Sequence, residues 1–308
     1  EKASGPVGGG IRQEEAVAGR RLPKAAGVCY NLAMYSQRTI GRSVCTEGIG
    51  IHTGRIVRAT FKPACEGSGI NFVRTDLGGK TVPALYPFVS STRRGTTLER
   101  DGAGVATVEH LLAALSILGI DNLTIELDGP EVPILDGSAL PFIELLQKAS
   151  MHNLNAMRRV IRLKEPLWLT WEDTAMCAFP ADKYSLEVMV NFPYIGPQRV
   201  AVDYDDPTLA EQVASARTFG FREEVEELLR QGLALGGSLD NALVFGPEGC
   251  SAPLRFEDEP ARHKLLDMIG DLALLGGVPL AMFIGIKSGH FQHLELAAAM
   301  MKRSEFVA

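Results

Sequence analysis

Apolar and polar positions alternate through RIVRATFKP (55–63), as in a strand buried on one face. The preceding TEGIGIHTG (46–54) is broken by glycines and predicts a turn between strands. The period then changes. In ATVEHLLAALSILGI (106–120) apolar residues recur at steps of three and four, Thr107 stands at a capping position, and Gly119 stands where the helix should stop. NLTIELDG (122–129) returns to strand character, and PILDGSALPFIELLQKAS (133–150) reads as a turn followed by an amphipathic helix.

A second half opens near Met157. RRVIRLKEPLWLTWEDTAMCAFP (158–180) predicts two strands around WED, and YSLEVMVNFP (184–193) a third. DPTLAEQVASARTF (206–219) and REEVEELLRQGLAL (222–235) predict helices, and NALVFG (241–246) a short strand. EDEPARHKLLDMIGDLALLGG (257–277) is a helix with acidic residues and Pro260 at its start. PLAMFIGIKSGH (279–290) is a strand that ends in a polar turn. EHLLAALSILGIDNLTIEL (109–127) and RHKLLDMIGDLALLGGVPLAMFIGI (262–286) share one order: an early His, an apolar helix, a Gly stop and a strand. The expected fold is therefore α+β, a duplicated unit with a site where the copies meet. We expect a first domain over 37–155, a second over 156–308, and an extension over 1–36 that is disordered or a targeting segment.

Composition narrows the partners. The chain has 308 residues, 46% hydrophobic and 22% charged, with a net charge of −6. No basic footprint for nucleic acid exists, so an anionic ligand needs locally placed cations. The five cysteines (Cys29, Cys45, Cys65, Cys177 and Cys250) are odd in number and form no CxxC pair, which favours a reducing compartment. The longest apolar run, LALLGGVPLAMFIGI (272–286), is too short to span a bilayer and is broken by Gly276, Gly277 and Pro279. Residues 1–36 lack the apolar stretch of a secretory signal; a transit peptide is the alternative to plain disorder.

The candidate chemistry centres on RHKLLDMIGD (262–271). His263, Asp267 and Asp271 follow each other at four-residue steps, so they share one helix face. A ring nitrogen and a carboxylate so placed can meet at a metal such as zinc, whose catalytic sites keep one position for water. The competing reading is a solvated polar stripe, although Leu265, Leu266, Met268 and Ile269 make the helix apolar around most of its circumference. His110, directly after Glu109 in the matching helix, can supply a third ligand beside a carboxylate base; taken alone, Glu109-His110 is also an ordinary first-turn pair. His290, after a buried strand, can act as a proton donor held by Asp271, or can be a turn histidine. Thr218 in SARTFGF (215–221) can donate to an oxyanion or simply end a helix. His152 and His293 read as surface residues.

Taken in order, GIGIHTG, TVEHLLAAL, GIDN, PILDGSA, SARTFGF, GGSLDNA, LRFEDEPARHKLLDMIGDL and KSGH resemble the zinc-dependent UDP-3-O-acyl-N-acetylglucosamine deacetylases of lipid A biosynthesis. The resemblance runs over roughly residues 38–293. It implies a cytoplasmic hydrolase of bacterial type, or an organellar one if 1–36 is a transit peptide, acting as a monomer on a UDP-sugar. The implied zinc ligands are His110, His263 and Asp267. Glu109 is implied as general base, His290 as general acid oriented by Asp271, and Thr218 as an oxyanion donor. Lys264 and Lys287 resemble cations that meet the diphosphate and sugar. Phe219 resembles a residue against the glucosamine ring, and Phe192 one that stacks on the uracil. The implied fold is two similar two-layer α/β sandwich domains packed helix to helix, each with a small insert. The second insert, over 219–237, would hold the acyl chain; Arg222 there and Asn191 beside Phe192 depart from the pattern. Two other readings compete. A small-molecule kinase would need a phosphate loop opening a helix, but LGGS (235–238) leads into a strand. A non-catalytic relative would keep the cluster only to bind a ligand or a structural metal.

Overall fold

The computed structural model describes residues 36–307. The expected extension over 1–36 lies, but for its last residue, outside the described residues, as does Cys29. The first half runs β1 (Ser36–Ile40), β2 (Val44–Ile49), β3 (Ile56–Pro63), β4 (Ile70–Arg74), β5 (Lys80–Pro83), β6 (Val89–Ser91), β7 (Thr97–Arg100) and β8 (Ala103–Val105). Then come α1 (Glu109–Leu118), β9 (Leu123–Leu127), α2 (Leu140–Gln147) and β10 (Met151–Met157), which pairs antiparallel with β1. The second half runs β11 (Val160–Leu163), β12 (Leu167–Trp171), β13 (Thr174–Pro180), β14 (Ser185–Phe192), β15 (Gly196–Asp203), α3 (Leu209–Val213) and β16 (Phe219–Phe221). It continues with α4 (Arg222–Arg230), β17 (Leu243–Gly246), β18 (Gly249–Cys250), α5 (Glu259–Ala273), β19 (Val278–Ile286), α6 (His290–Arg303) and β20 (Ser304–Val307).

One strand order occurs twice in this mixed α+β chain. In the first large sheet it is β2-β3-β9-β4-β5; in the second, β12-β13-β19-β14-β15, extended on β19 by β11 and β20. The directions match at every step: antiparallel, antiparallel, parallel, antiparallel. A helix, α1 or α5, leads into the central strand of each. The parallel step follows from this, since it needs a crossover whereas an antiparallel step needs only a hairpin. The small sheets β6-β7-β8 and β16-β17-β18 lie off the main ones. The described residues form one compact unit.

The hydrophobic pattern finds the elements that carry the core. β3 alternates buried and exposed residues from Ile56 to Phe61, and Gly119 ends α1 in the left-handed conformation with φ 65°. Four expectations need correction. Thr107 does not cap α1: its φ is 57°, and its hydroxyl donates to Glu131 at 2.8 Å. The helix expected over 206–219 is only α3, because the Arg217 N–H turns to the buried carboxylate of Glu259 (3.0 Å) instead of a carbonyl one turn back. The polar turn expected after β19 is present over 287–289, but its last residue, His290, opens a fourteen-residue helix that was not expected, α6, whose Leu296, Ala297 and Met300 are buried. His293 is therefore not a surface residue; it is fully buried on the same face.

α1 and α5 pack against each other through residues buried almost all round: Leu111 to Leu115 on one, Leu265 to Leu272 on the other. At the crossing, a Cβ on Gly270 would lie 2.0 Å from the carbonyl oxygen of Glu109. Backbone cannot swing aside as a side chain can, so only glycine allows the helices this close. Gly270→Ala is expected to lower stability to urea by about 1–3 kcal/mol, the usual cost of overpacking. A midpoint equal to that of the parent would show that the helices do not depend on this contact.

Candidate metal centre and active site

The entry to α1 is shaped by one buried carboxylate. Glu131 accepts hydrogen bonds from the Thr107 hydroxyl, from the backbone N–H groups of His52 and Thr53, and from the Thr53 hydroxyl. The GIHTG turn is thereby tied to the start of α1; a Cβ on Gly50 would meet Glu131 Oε2 at 2.3 Å. The entry to α5 has a counterpart in Glu259, which takes the Arg217 guanidinium at 2.8 Å and the N–H groups of Arg217 and Arg255. This pair holds the SARTF segment against α5. The two helices then present Glu109 and His110 from one side, and His263, Asp267 and Asp271 from the other.

His110, His263 and Asp267 meet at one point, with their ligand atoms within 4.8 Å of one another and all three residues buried. Asp267 Oδ1 lies 3.5 Å from His110 Nε2 and 3.4 Å from His263 Nε2. A tetrahedral ion bound at about 2.0–2.1 Å holds its ligand atoms about 3.3 Å apart, so this set fits a metal. A second observation agrees. Asp267 Oδ1 is buried with no hydrogen-bond partner, which is costly for a carboxylate oxygen that nothing else satisfies. His263 could serve as a ligand: its Nδ1 faces the Ala216 carbonyl at 3.0 Å, which turns Nε2 towards Asp267 Oδ1. Burial, joined by His110 and Lys264, pushes its pKa down to about 4 against the pull of Asp267, so the ring is neutral at neutral pH. Burial works to raise the Asp267 pKa, but Lys264 and His263 outweigh it and hold the carboxyl well below its ordinary value.

Further titratable groups surround this cluster. His290, at the first position of α6, bonds Asp271 Oδ2 through Nδ1 (2.8 Å), while its Nε2 points back to Asp267 Oδ2 at 3.9 Å. Burial works to lower the His290 pKa, yet Asp271 and Asp267 raise it to about 9. Burial likewise opposes ionisation of Asp271, but His290 and His293 bring its pKa down to about 2. Glu109 is 3% exposed, and burial raises its pKa against the opposing pull of His290 and His110. Its Oε2 accepts the Thr96 N–H at 2.9 Å.

The remaining expected residues have different surroundings. Lys264 reaches Asp267 Oδ2 at 2.6 Å, so the amine lies beside the ligand set. Lys287 follows β19 with φ 50° and pairs with Asp173 at 2.9 Å. Thr218 sits between Ala216, the partner of His263, and Phe219, whose ring lies 6.1 Å from that of His263. Phe192 stacks edge-on against Phe219 at 5.3 Å; Phe221 and Phe245 complete the aromatic wall. Arg222 turns away to Glu248, and Asn191 is exposed. Sequence reasoning passed over Thr96, Phe221, Phe245 and His293. The spacing of His293 from Leu296, Ala297 and Met300 is the signal that was available; Thr96 has none.

The model of the LpxC family, UDP-3-O-acyl N-acetylglycosamine deacetylase, matches residues 37–302. The chain belongs to this family. Its deacetylase match takes in every expected site residue, from Glu109 to His290. Three relatives, each named UDP-3-O-acyl-N-acetylglucosamine deacetylase, are similar over most of both chains. The protein of Thermosynechococcus vestitus is 46% identical over 88% of this chain and 96% of its own. That of Myxococcus xanthus is 42% identical over 87% of each. That of Nostoc sp. PCC 7120 is 41% identical over 87% of this chain and 99% of its own.

A metal held by His110, His263 and Asp267 stabilises the folded chain by linkage, about 2.7 kcal/mol when it is present at a hundred times its dissociation constant. Chelation is therefore expected to lower the thermal midpoint. His110→Ala should already show the lower value and respond no further to chelator. A parent chain whose midpoint ignores chelation would remove the metal centre.

Proposed function

We propose that this deacetylase-family chain hydrolyses the acetamido group of UDP-3-O-acyl-N-acetylglucosamine, with zinc as its metal, giving UDP-3-O-acyl-glucosamine and acetate. The observation that carries the reading is the pairing of a three-residue N,N,O cluster with His290 Nε2 aimed at it from 3.9 Å. When bound, zinc supplies Lewis-acid polarisation of a carbonyl and lowers the pKa of water that it coordinates. In the reaction, water adds to the amide carbon and the C–N bond breaks. Glu109 takes the proton from the attacking water; its raised pKa makes it a stronger base than an ordinary carboxylate. His290 gives its proton to the departing nitrogen, and Asp271 keeps that ring protonated and aligned. The Thr218 hydroxyl donates to the oxygen that becomes negative.

Substrate binding in this reading divides by chemistry. Lys264 and Lys287 meet the diphosphate and sugar. Phe219 lies against the glucosamine ring, and Phe192 against the uracil. The acyl chain lies along the 219–237 insert, where Leu229 and Leu235 are half exposed. We read 37–155 and 156–308 as the two domains that flank the site, and the protein as a monomer of a bacterial cytoplasm or, if 1–36 is a targeting segment, of an organelle. No helix among the described residues is long and apolar enough to cross a membrane.

Chelation is expected to abolish deacetylation, and zinc to restore it. His263→Ala should lose both metal and turnover, whereas His290→Ala should lose turnover and keep metal. Turnover that survives chelation would end the proposal.

The pH profile tests the two proton roles separately. Glu109 must be deprotonated, so activity rises as pH passes its pKa, above the ordinary carboxylate range. His290 must be protonated, so activity falls as pH passes about 9. In His290→Ala the residual rate should lose the alkaline fall; a fall unchanged by that substitution would assign it to another group.

A further inference from the structure

We infer that Thr96 is a positioning residue that joins the base side of the site to the acid side. The inference rests on the proton roles proposed for Glu109 and His290. Thr96 is fully buried in the short link between β6 and β7, and it touches at once Glu109 and Asp271, the carboxylate bonded to His290. Its backbone N–H donates to Glu109 Oε2 at 2.9 Å, and its hydroxyl donates to Asp271 Oδ1 at 2.6 Å. Its carbonyl accepts the N–H of Val108 at 3.2 Å, which fixes it to the entry of α1. It makes no hydrogen bond to His110, His263 or Asp267.

The distribution of donors on Asp271 gives the hydroxyl its task. His290 and His293 both bond to Oδ2, each at 2.8 Å. Two donors on one oxygen pull the carboxylate but leave its other oxygen unheld. Thr96 supplies the donor for Oδ1, so three points determine the plane of the group. His293 is held in turn by Ser288, whose hydroxyl lies 3.1 Å from Nε2. The plane of Asp271 sets the direction of His290, since the ring follows its Nδ1–H bond. Without the Thr96 hydroxyl, Oδ1 is a buried acceptor with nothing to accept, and the carboxylate turns to find a donor. Threonine suits the place because its branched Cβ restricts χ1 and so aims the hydroxyl. Gly95 beside it leaves room for the base: a Cβ there would lie 3.0 Å from Glu109 Oε1.

Thr96→Val keeps the shape and removes the donor. It is expected to lower kcat by about 10- to 100-fold, the usual effect of losing a partner that orients a site histidine, with KM and bound metal unchanged. Thr96→Ser, which keeps the hydroxyl, should recover most of the rate. The deciding measurement is a double-mutant cycle with His290→Ala. If Thr96 acts through Asp271 and His290, then Thr96→Val costs nothing further once His290 is gone. The full loss repeated in the His290→Ala background, or a parental kcat in Thr96→Val, would overturn the inference. Should the Val chain not fold, Thr96→Cys places a much weaker donor in the same volume and carries the same expectations. Failure of the proposed acid role would show instead as parental turnover in His290→Ala alone.

Discussion

Backbone meets backbone where Gly270 of α5 crosses Glu109 of α1, and the positions of His110, His263, Asp267 and Asp271 relative to one another depend on that contact. Asp267 lies one turn before the crossing and Asp271 immediately after it, while His110 follows Glu109 directly. A wider separation would pull the histidine of one helix away from the carboxylate of the other. Ligand sets tolerate little such movement, since donor distances must hold to within about 0.2 Å. The glycine thus sets a length that the side chains cannot adjust for themselves.

Packing the helices so tightly buries many charges, and each is compensated by fixed donors. Glu131 is satisfied by hydroxyls and backbone N–H groups, Glu259 by Arg217 and backbone, and Asp271 by Thr96 and two histidines. An unpaired buried charge would otherwise cost several kcal/mol or neutralise itself. Asp267 differs from these three: its Oδ1 lacks a partner while its neighbour Oδ2 has Lys264. The incomplete carboxylate is the one that faces the histidines. Glu131, Glu259 and Asp271 are bonded on both oxygens; Asp267 is bonded on one side only.

Much of this was legible along the chain because helices write their faces in steps of four. His263, Asp267 and Asp271 share a face by spacing alone, and the early His of each matching helix points to where the copies meet. The repeated strand order is not legible in the same way, because pairing joins residues remote in sequence; β4 and β9 are separated by a helix and three strands that belong elsewhere. α6 was hidden behind KSGH, a turn whose last residue opens the helix, although apolar steps continue from Leu294 to Met300. Thr96 lies among arginines, glycine and threonines with no period at all. Its partners are 13 and 175 residues away, and only the assembled fold makes it a neighbour of both.

His110 comes from one helix and His263 and Asp267 from another that lies far along the chain, and this gives the cluster a place in time as well as in space. Closing so long a loop is among the slower events available to a folding chain, and contacts of this range reward the chain only after the entropy of closure has been met. A ribosome releases α1 long before it makes α5, so the early His110 emerges with no complete ligand set to join. Any metal affinity of the cluster would accordingly be a property of the last docking step, not of either helix. An ion held there would act as a clasp that can shut only on a finished molecule.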